Sequence, residues 1–149
     1  DVLQRNYRLN MSCVLNEFIS LKTRLEYVTI HRASNTPEKG MLFSQDLIFK
    51  PKSSPFDLSL RFALFDTDSY DTRIYTFESN ALYVFAVPAY YYQGSRAYVL
   101  LRYSFWRSCD LWIKYGVFLY ENRSSISSGA EQITGNRKSD LLIQLRISI

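Results

Sequence analysis

The chain has 149 residues and a formal net charge of +4, with 47% hydrophobic and 16% aromatic residues, among them 12 Tyr and 10 Phe. That length fits one domain, or a piece of a larger one. No run approaches the ~20 apolar residues of a membrane-spanning helix, and mean hydropathy is only −0.16; a membrane protein built of strands stays open, because alternation hides its hydrophobicity from any average.

Period-2 alternation recurs along nearly the whole chain, and helical periodicity almost nowhere. The first predicted strand is Asn6 to Leu15, with Tyr7, Leu9, Met11 and Cys13 on one parity. The second, Ser20 to Arg32, sets Leu21, Leu25 and Tyr27 against Lys22, Arg24 and Glu26. In the third, Met41 to Lys50, Phe43, Leu47 and Phe49 oppose Ser44, Asp46 and Lys50. The fourth, Asp57 to Phe65, sets Leu58, Leu60, Phe62 and Leu64 against Ser59, Arg61 and Ala63. "RIYTFE" (73–78) and "ALYVFAVPA" (81–89) read as a fifth and a sixth, with Ser79-Asn80 as the tight turn between them and Pro88 ending or bulging the second.

Clear alternation returns with Ala97, Val99, Leu101, Tyr103 and Phe105 against Tyr98, Leu100 and Arg102. Leu111, Ile113, Tyr115, Val117 and Leu119 follow, against Trp112, Lys114, Gly116 and Phe118. The last strand, Leu141 to Ile149, puts Leu141, Ile143, Leu145, Ile147 and Ile149 on one face and Gln144, Arg146 and Ser148 on the other. The expected fold is all-β, an antiparallel meander of nine strands.

The aliphatic faces must meet either a core or a bilayer. Strands of about ten residues match the ~9–11 that cross a membrane. The other faces carry Arg24, Glu26, Asp46, Arg61, Arg102, Lys114, Gln144 and Arg146, which suits a lumen. Aromatics crowd the strand ends: Tyr7, Tyr27, Phe43, Phe49, Tyr90, Tyr91, Tyr92, Tyr103, Phe105, Trp106 and Tyr120. Barrels of the outer membrane wear such girdles, and they pair short turns at one end with long polar loops at the other. Here "NEFI" and "WRSCD" are short, whereas "ASNTPEKG" and "RSSISSGAEQITGNRKS" are long and polar. The reading is therefore a transmembrane β-barrel, with Leu58, Leu60, Phe62, Leu64, Leu141, Ile143, Leu145, Ile147 and Ile149 facing lipid. The alternative is a soluble antiparallel β-barrel that binds an apolar small molecule.

The stretches "RFALFDTDSYDTRIYTFESNALYVFAVPAYYYQGSRAYVLLRY" and "ENRSSISSGAEQITGNRKSDLLIQLRISI" resemble the C-terminal β-barrel portion of outer-membrane proteins of Bacteroidota. Those proteins are often labelled by a helix-hairpin-helix segment upstream of the barrel. The resemblance covers roughly residues 20–149, and "FALFDTDSYDTRIY" is its most specific block. "LLIQLRISI" looks like the C-terminal signal that the barrel-assembly machinery reads, although Ile149 stands where a final aromatic is more usual. No helix-hairpin-helix motif is visible, so a DNA-binding role is not carried over to these residues.

The resemblance implies the bacterial outer membrane as location. It implies outer-membrane lipid, the assembly machinery, and upstream strands or domains of the same protein as partners. Residues 1–149 are expected to be a single barrel domain or the C-terminal part of a larger barrel. Nine strands with a last strand running to the periplasm make the first run downward too, whereas such barrels have an even strand number and both termini on the periplasmic side. Strands are thus expected upstream, and any secretion signal before Asp1. The last strand is expected to pair with 111–121 on one side only.

Chemical constellations are sparse. His31 is the only histidine, at the end of the second strand, and Asp66, Asp68 or Ser69 are its conceivable partners in a hydrolytic site. No nucleophile motif accompanies them, so no catalytic residue is assigned and no enzyme is expected. "DTDSYD" has a D-x-D start, but Asp71 stands where a calcium loop needs glycine, so no metal and no cofactor are expected. Cys13 and Cys109 are too few for a disulfide framework. Tyr90 to Tyr92 followed by Arg96 is the nearest approach to a nucleic-acid groove, and it reads as a membrane interface instead. The function expected is structural, pore or transport: a wide lumen with the basic excess of Arg8, Lys22 and Lys50 added would favour anions, whereas in a narrow, side-chain-filled interior the same charges pair and conduct nothing.

Overall fold

The computed structural model describes residues 2–32, 36–106, 108–121, 123–126 and 132–148. Ile149 and the side chain of Trp106 lie outside the described residues.

The chain is all-β. Its strands are β1 (Val2–Val14), β2 (Ile19–Arg32), β3 (Glu38–Phe49), β4 (Phe56–Thr67), β5 (Ile74–Tyr75), β6 (Ala89–Tyr90), β7 (Gln93–Trp106), β8 (Cys109–Tyr120), β9 (Ser125–Ile126), β10 (Ile133–Thr134) and β11 (Arg137–Ile147). Seven of them form one antiparallel sheet in the order β1-β2-β3-β4-β7-β8-β11. Every neighbour in that order is a sequence neighbour once β5 and β6 and the β9–β10 pair are set aside. The sheet is a meander, as the alternation predicts.

One correction concerns the sheet: it has seven long strands, not nine. It is not closed as a barrel, and β1 and β11 are its edges, so the last strand pairs on one side only, with β8, as expected. β11 pairs with β8 along its length, from Arg137 opposite Leu119 to Ile147 opposite Cys109. In a seven-stranded antiparallel sheet the first and last strands run the same way. These two edges therefore cannot join each other by antiparallel pairing.

"RIYTFE" and "ALYVFAVPA" are the two strands that the sheet lacks. Residues 68–92 instead leave β4, lie across one face of the sheet and return to β7. The pairing of Ile74 with Tyr90 and Tyr75 with Ala89, one bridge from Glu78 to Ala86, and the Thr76 amide donating to the Pro88 carbonyl at 3.4 Å tie the two limbs of this strap together. The turn between them is not Ser79-Asn80 but the next four residues, closed by the Val84 amide donating to the Ala81 carbonyl at 3.2 Å. Tyr83, at φ 62°, takes the left-handed conformation that turns the chain back.

Strand register sorts the side chains into two faces. The row Leu9, Leu25, Phe43, Leu64 runs across β1 to β4 on one of them, and Leu58, Leu101, Ile113, Ile143 across β4, β7, β8 and β11. No layer of the described residues covers this aliphatic face. On β4, a central strand with neighbours on both sides, Phe62 and Leu64 are still 47% and 49% exposed. The opposite face is the one beneath the strap. There Val28, Ile30, Leu42, Phe65, Phe118 and Tyr120 pack on Ile74 and Tyr90 at the long-loop end, and Leu100 and Trp112 pack with Ala81 nearer the short turns. The core of this chain thus lies between the strap and the charged face of the sheet.

Candidate functional site

Between those two apolar clusters lies a band of buried charge. Arg24 of β2, Arg61 of β4, Arg96 of β7 and Lys114 of β8 all rise from the covered face and hold successive residues of the strap. Arg24 donates to the Tyr75 carbonyl and to Thr76 Oγ1, each at 3.0 Å. Arg61 Nη1 donates to the Phe77 carbonyl at 2.7 Å. Arg96 meets Glu78 through Nε at 2.9 Å and Nη2 at 3.0 Å, and Lys114 Nζ donates to the same carboxylate at 2.9 Å. Next, the Ser79 amide donates to Tyr98 Oη at 3.0 Å, and Gln144 Nε2 of β11 donates to the Leu82 carbonyl at 3.1 Å.

The strap crosses the sheet from β2 toward β11. From Tyr75 to Leu82 is seven residues, about 23 Å of extended chain, and β2 to β11 spans five inter-strand gaps of ~4.8 Å, about 24 Å. An extended segment running perpendicular to the strands is just long enough to make these contacts. That fit explains why one anchor falls on nearly every strand.

The charges are neutralised locally. Asp46 takes Arg61 Nε at 2.5 Å and Nη2 at 2.6 Å. Glu26 receives Arg8 at 2.9 Å and also pairs with Arg24. Arg96 reaches across β8 to Asp140 of β11 at 2.5 Å. It passes over Gly116, where any Cβ would come within 2.5 Å of the guanidinium. Glu78, Arg96 and Lys114 are 1%, 2% and 2% exposed. Burial alone would push the Glu78 carboxyl up; the hydrogen bonds and charges of Arg96 and Lys114 outweigh it and hold the group below its ordinary value of 4.5. Tyr90 Oη completes the carboxylate shell, donating at 2.9 Å.

Arg24, Glu26, Asp46, Arg61, Arg102, Lys114, Gln144 and Arg146 therefore share one face, by register. Leu58, Leu60, Phe62, Leu64, Leu141, Ile143, Leu145 and Ile147 share the other. The structure joins the first set into one network only in part: Arg102 instead pairs with Asp57 at 3.2 Å and Asp110 at 2.9 Å, nearer the short turns. Arg96, Asp140 and the anchoring part played by Glu78 escape a reading of strand parity alone. The mid-strand glycine Gly116 is the signal for them, since glycine in a strand marks a close approach.

The aromatic girdle needs correction as well. Tyr90, itself part of the strap, is fully buried against the sheet and Tyr120 is buried on the covered face, so neither belongs to an outer belt. Tyr7, Tyr27, Phe43, Phe49 and Tyr103 do lie on the aliphatic face, where Phe56 and Tyr103 stack at 4.5 Å and Tyr7 and Tyr27 at 6.4 Å. Two polar residues interrupt that face at mid-strand, and they satisfy each other: Thr23 Oγ1 donates to Gln45 Oε1 at 2.7 Å.

The conceivable hydrolytic set is not assembled. Asp68 accepts from the Lys39 amide at 2.8 Å, and Ser69 Oγ donates to Glu38. Asp71 pairs with Arg32, which divides the acids of "DTDSYD" among separate turn contacts. Among the described residues no group of three His, Cys, Asp or Glu has the arrangement of a metal site. Comparison with known proteins finds no matching family model, no matching curated protein and no matching solved structure.

Proposed function

We propose that this chain forms part of the wall of a bacterial outer-membrane β-barrel, of the kind found in Bacteroidota, with a non-catalytic structural, pore or transport role. One observation carries the reading: beneath the strap the charged face is covered and paired, while among the described residues the aliphatic face, even on the central strand β4, is uncovered. A soluble monomer rarely leaves so broad an apolar surface bare. In a bilayer that surface is in its preferred solvent. The long strands have 11 to 14 residues, enough to cross tilted. Their apolar runs, such as Phe56 to Leu64, extend about 27 Å at ~3.4 Å per residue. That matches a band of ~25 Å once tilt is allowed for.

In this reading the strap lies on the lumen side and the two sheet edges are covered by further strands, with an odd number added to give an even total. An unpaired edge in lipid would orphan backbone groups at several kcal/mol each. Arg8, Arg24, Arg61, Arg96 and Lys114 are spent on Glu26, Asp46, Glu78 and Asp140, while Lys22, Lys50 and Arg146 have no salt-bridge partner among the described residues. A wall with an anchored inner strap is favoured over a wide anion-selective opening.

The soluble alternative needs the charged face to be wet and the aliphatic face to enclose a ligand. Burial of Arg96, Lys114 and Glu78 beneath the strap speaks against it. The test is membrane behaviour. Extraction by detergent but not by salt or alkali, with heat-modifiable migration on a gel, is expected; release without detergent would overturn the reading.

A further inference from the structure

At the short-turn end of the covered face, beyond the paired network, the strap leaves a cavity of about 560 Å³. Its charged lining is Lys22, Lys50, Arg102 and Arg146 with the single carboxylate Asp57, which Arg102 already engages at 3.2 Å. Lys22, Lys50 and Arg146 are exposed and have no salt-bridge partner among the described residues. The acids opposite Lys22 and Arg146 in register, Asp46 and Asp110, are taken by Arg61 and Arg102. The cavity therefore carries an uncompensated positive charge where the rest of the face is neutralised.

The same cavity is apolar on its strap side. The turn of the strap contributes Tyr83 and Phe85, 86% and 85% exposed, to the rim of this space. Tyr83 does so at φ 62°, a conformation that costs an aromatic residue energy and that glycine or asparagine would adopt more easily. A strained backbone holding a bare aromatic ring beside unpaired cations is an arrangement that folding alone does not need. A volume of this size is in the range of sites for small organic ligands, which combine apolar walls with a few polar groups.

We propose that this cavity binds an organic anion with an apolar body, its acidic group drawn to Lys22, Lys50 and Arg146 and its apolar part lying against Tyr83 and Phe85. The site sits on the strap side of the sheet, so it does not depend on what covers the aliphatic face. A phosphate or carboxylate on an alkyl or aryl body has the required chemistry, whether it comes from a lipid head with its chain or from a free metabolite-sized acid.

The test is calorimetric titration of the full chain in a neutral detergent with four probes: hexyl phosphate, hexanol, inorganic phosphate and a dihexanoyl phosphatidic acid. Hexyl phosphate is expected to bind at least about tenfold more tightly than either hexanol or inorganic phosphate, because only it engages both halves of the site. Replacing Lys22, Lys50 and Arg146 together by Gln should bring hexyl phosphate down to the level of hexanol. Tyr83→Ala with Phe85→Ala should bring it down to that of inorganic phosphate. A preference for the phosphatidic acid over hexyl phosphate assigns the lipid source, and the reverse assigns a free acid. Equal binding of hexyl phosphate and hexanol, or a triple variant that folds by circular dichroism and binds unchanged, would overturn the proposal. Should the triple variant fail to fold, the single changes Lys50→Gln and Arg146→Gln carry the test, each expected to weaken hexyl phosphate severalfold.

Discussion

Arg96 lies directly over Gly116, with a Cβ at position 116 due to fall 2.5 Å from one of its terminal nitrogens and 2.7 Å from the central carbon. That gap in the sheet surface lets one guanidinium span β8 and bind Glu78 of the strap and Asp140 of β11 together. Gly116→Ala should therefore lift Arg96 off both partners. A loss of about 1–3 kcal/mol, as for an overpacked interior, is expected in urea unfolding. Gly135→Ala, where no atom lies within 4 Å, provides a control for space, although its positive φ adds local strain of its own.

Glu78→Gln should act more severely. It leaves Arg96 and Lys114 buried around a neutral group, and removing one partner of a buried ion pair costs roughly 3–5 kcal/mol. The strap has little else in backbone pairing, so its detachment should come first. Limited proteolysis within residues 68–92 is expected in the variant under conditions where the parent chain is resistant there.

Acid should mimic that change. The folded-state pKa of Glu78 lies below its ordinary value of 4.5, so the unfolded form binds the proton more readily. The stability contributed by this anchor is then fully present above about pH 4.5 and is lost as pH falls through the folded value. Protease sensitivity of the strap should rise over that acidic range and recover on return to neutral pH. Persistence of full protection in Glu78→Gln at every pH would contradict the anchoring role.

The two faces respond differently to charge. Leu60→Arg places a cation on the aliphatic face and should impair membrane assembly by about 2–4 kcal/mol at mid-bilayer. Arg61→Leu, one residue away, leaves Asp46 buried and the Phe77 carbonyl without its donor. Parity alone suggests that such a change on the polar face is tolerated. The observed pairing predicts instead a folded-state loss of roughly 3–5 kcal/mol. Arg61→Leu combined with Asp46→Leu should recover much of that loss, since replacing both partners is often neutral.

Face assignment was readable from the sequence because strand pairing transmits parity: once Leu60 and Arg61 are opposed on β4, register carries the distinction to Val99 and Tyr98 on β7 and onward to β11. The strap was not readable for the same reason. From Thr72 to Glu78 its residues alternate between buried and exposed just as a strand of the sheet does, with Tyr75 and Phe77 outward and Ile74, Thr76 and Glu78 inward. Alternation reports that an extended segment has two different sides; it does not report whether its backbone pairs with a neighbour or lies across several. Parity puts the charged side chains of the strands on one face, as the register has them, but their satisfaction depends on Glu78 and Asp140, brought in from the strap and the last strand. The basic cavity depends on where the turn of that strap falls. Nothing in local spacing specifies either.

The central claim is that the uncovered aliphatic face meets lipid and the covered face does not. Adjacent residues on β11 offer the most direct test, because Ile143 and Gln144 point to opposite faces. Cys13 and Cys109 are first replaced by Ser, and nitroxide labels are placed at Ile143→Cys, Phe62→Cys and, separately, Gln144→Cys in protein reconstituted in bilayers. Collision rates with oxygen, which concentrates in lipid, and with a water-soluble nickel chelate are then compared by electron paramagnetic resonance. High oxygen and low nickel accessibility at positions 62 and 143, with low oxygen accessibility at 144, is the predicted result. Nickel accessibility at 62 and 143 equal to that of a water-exposed label would contradict the account.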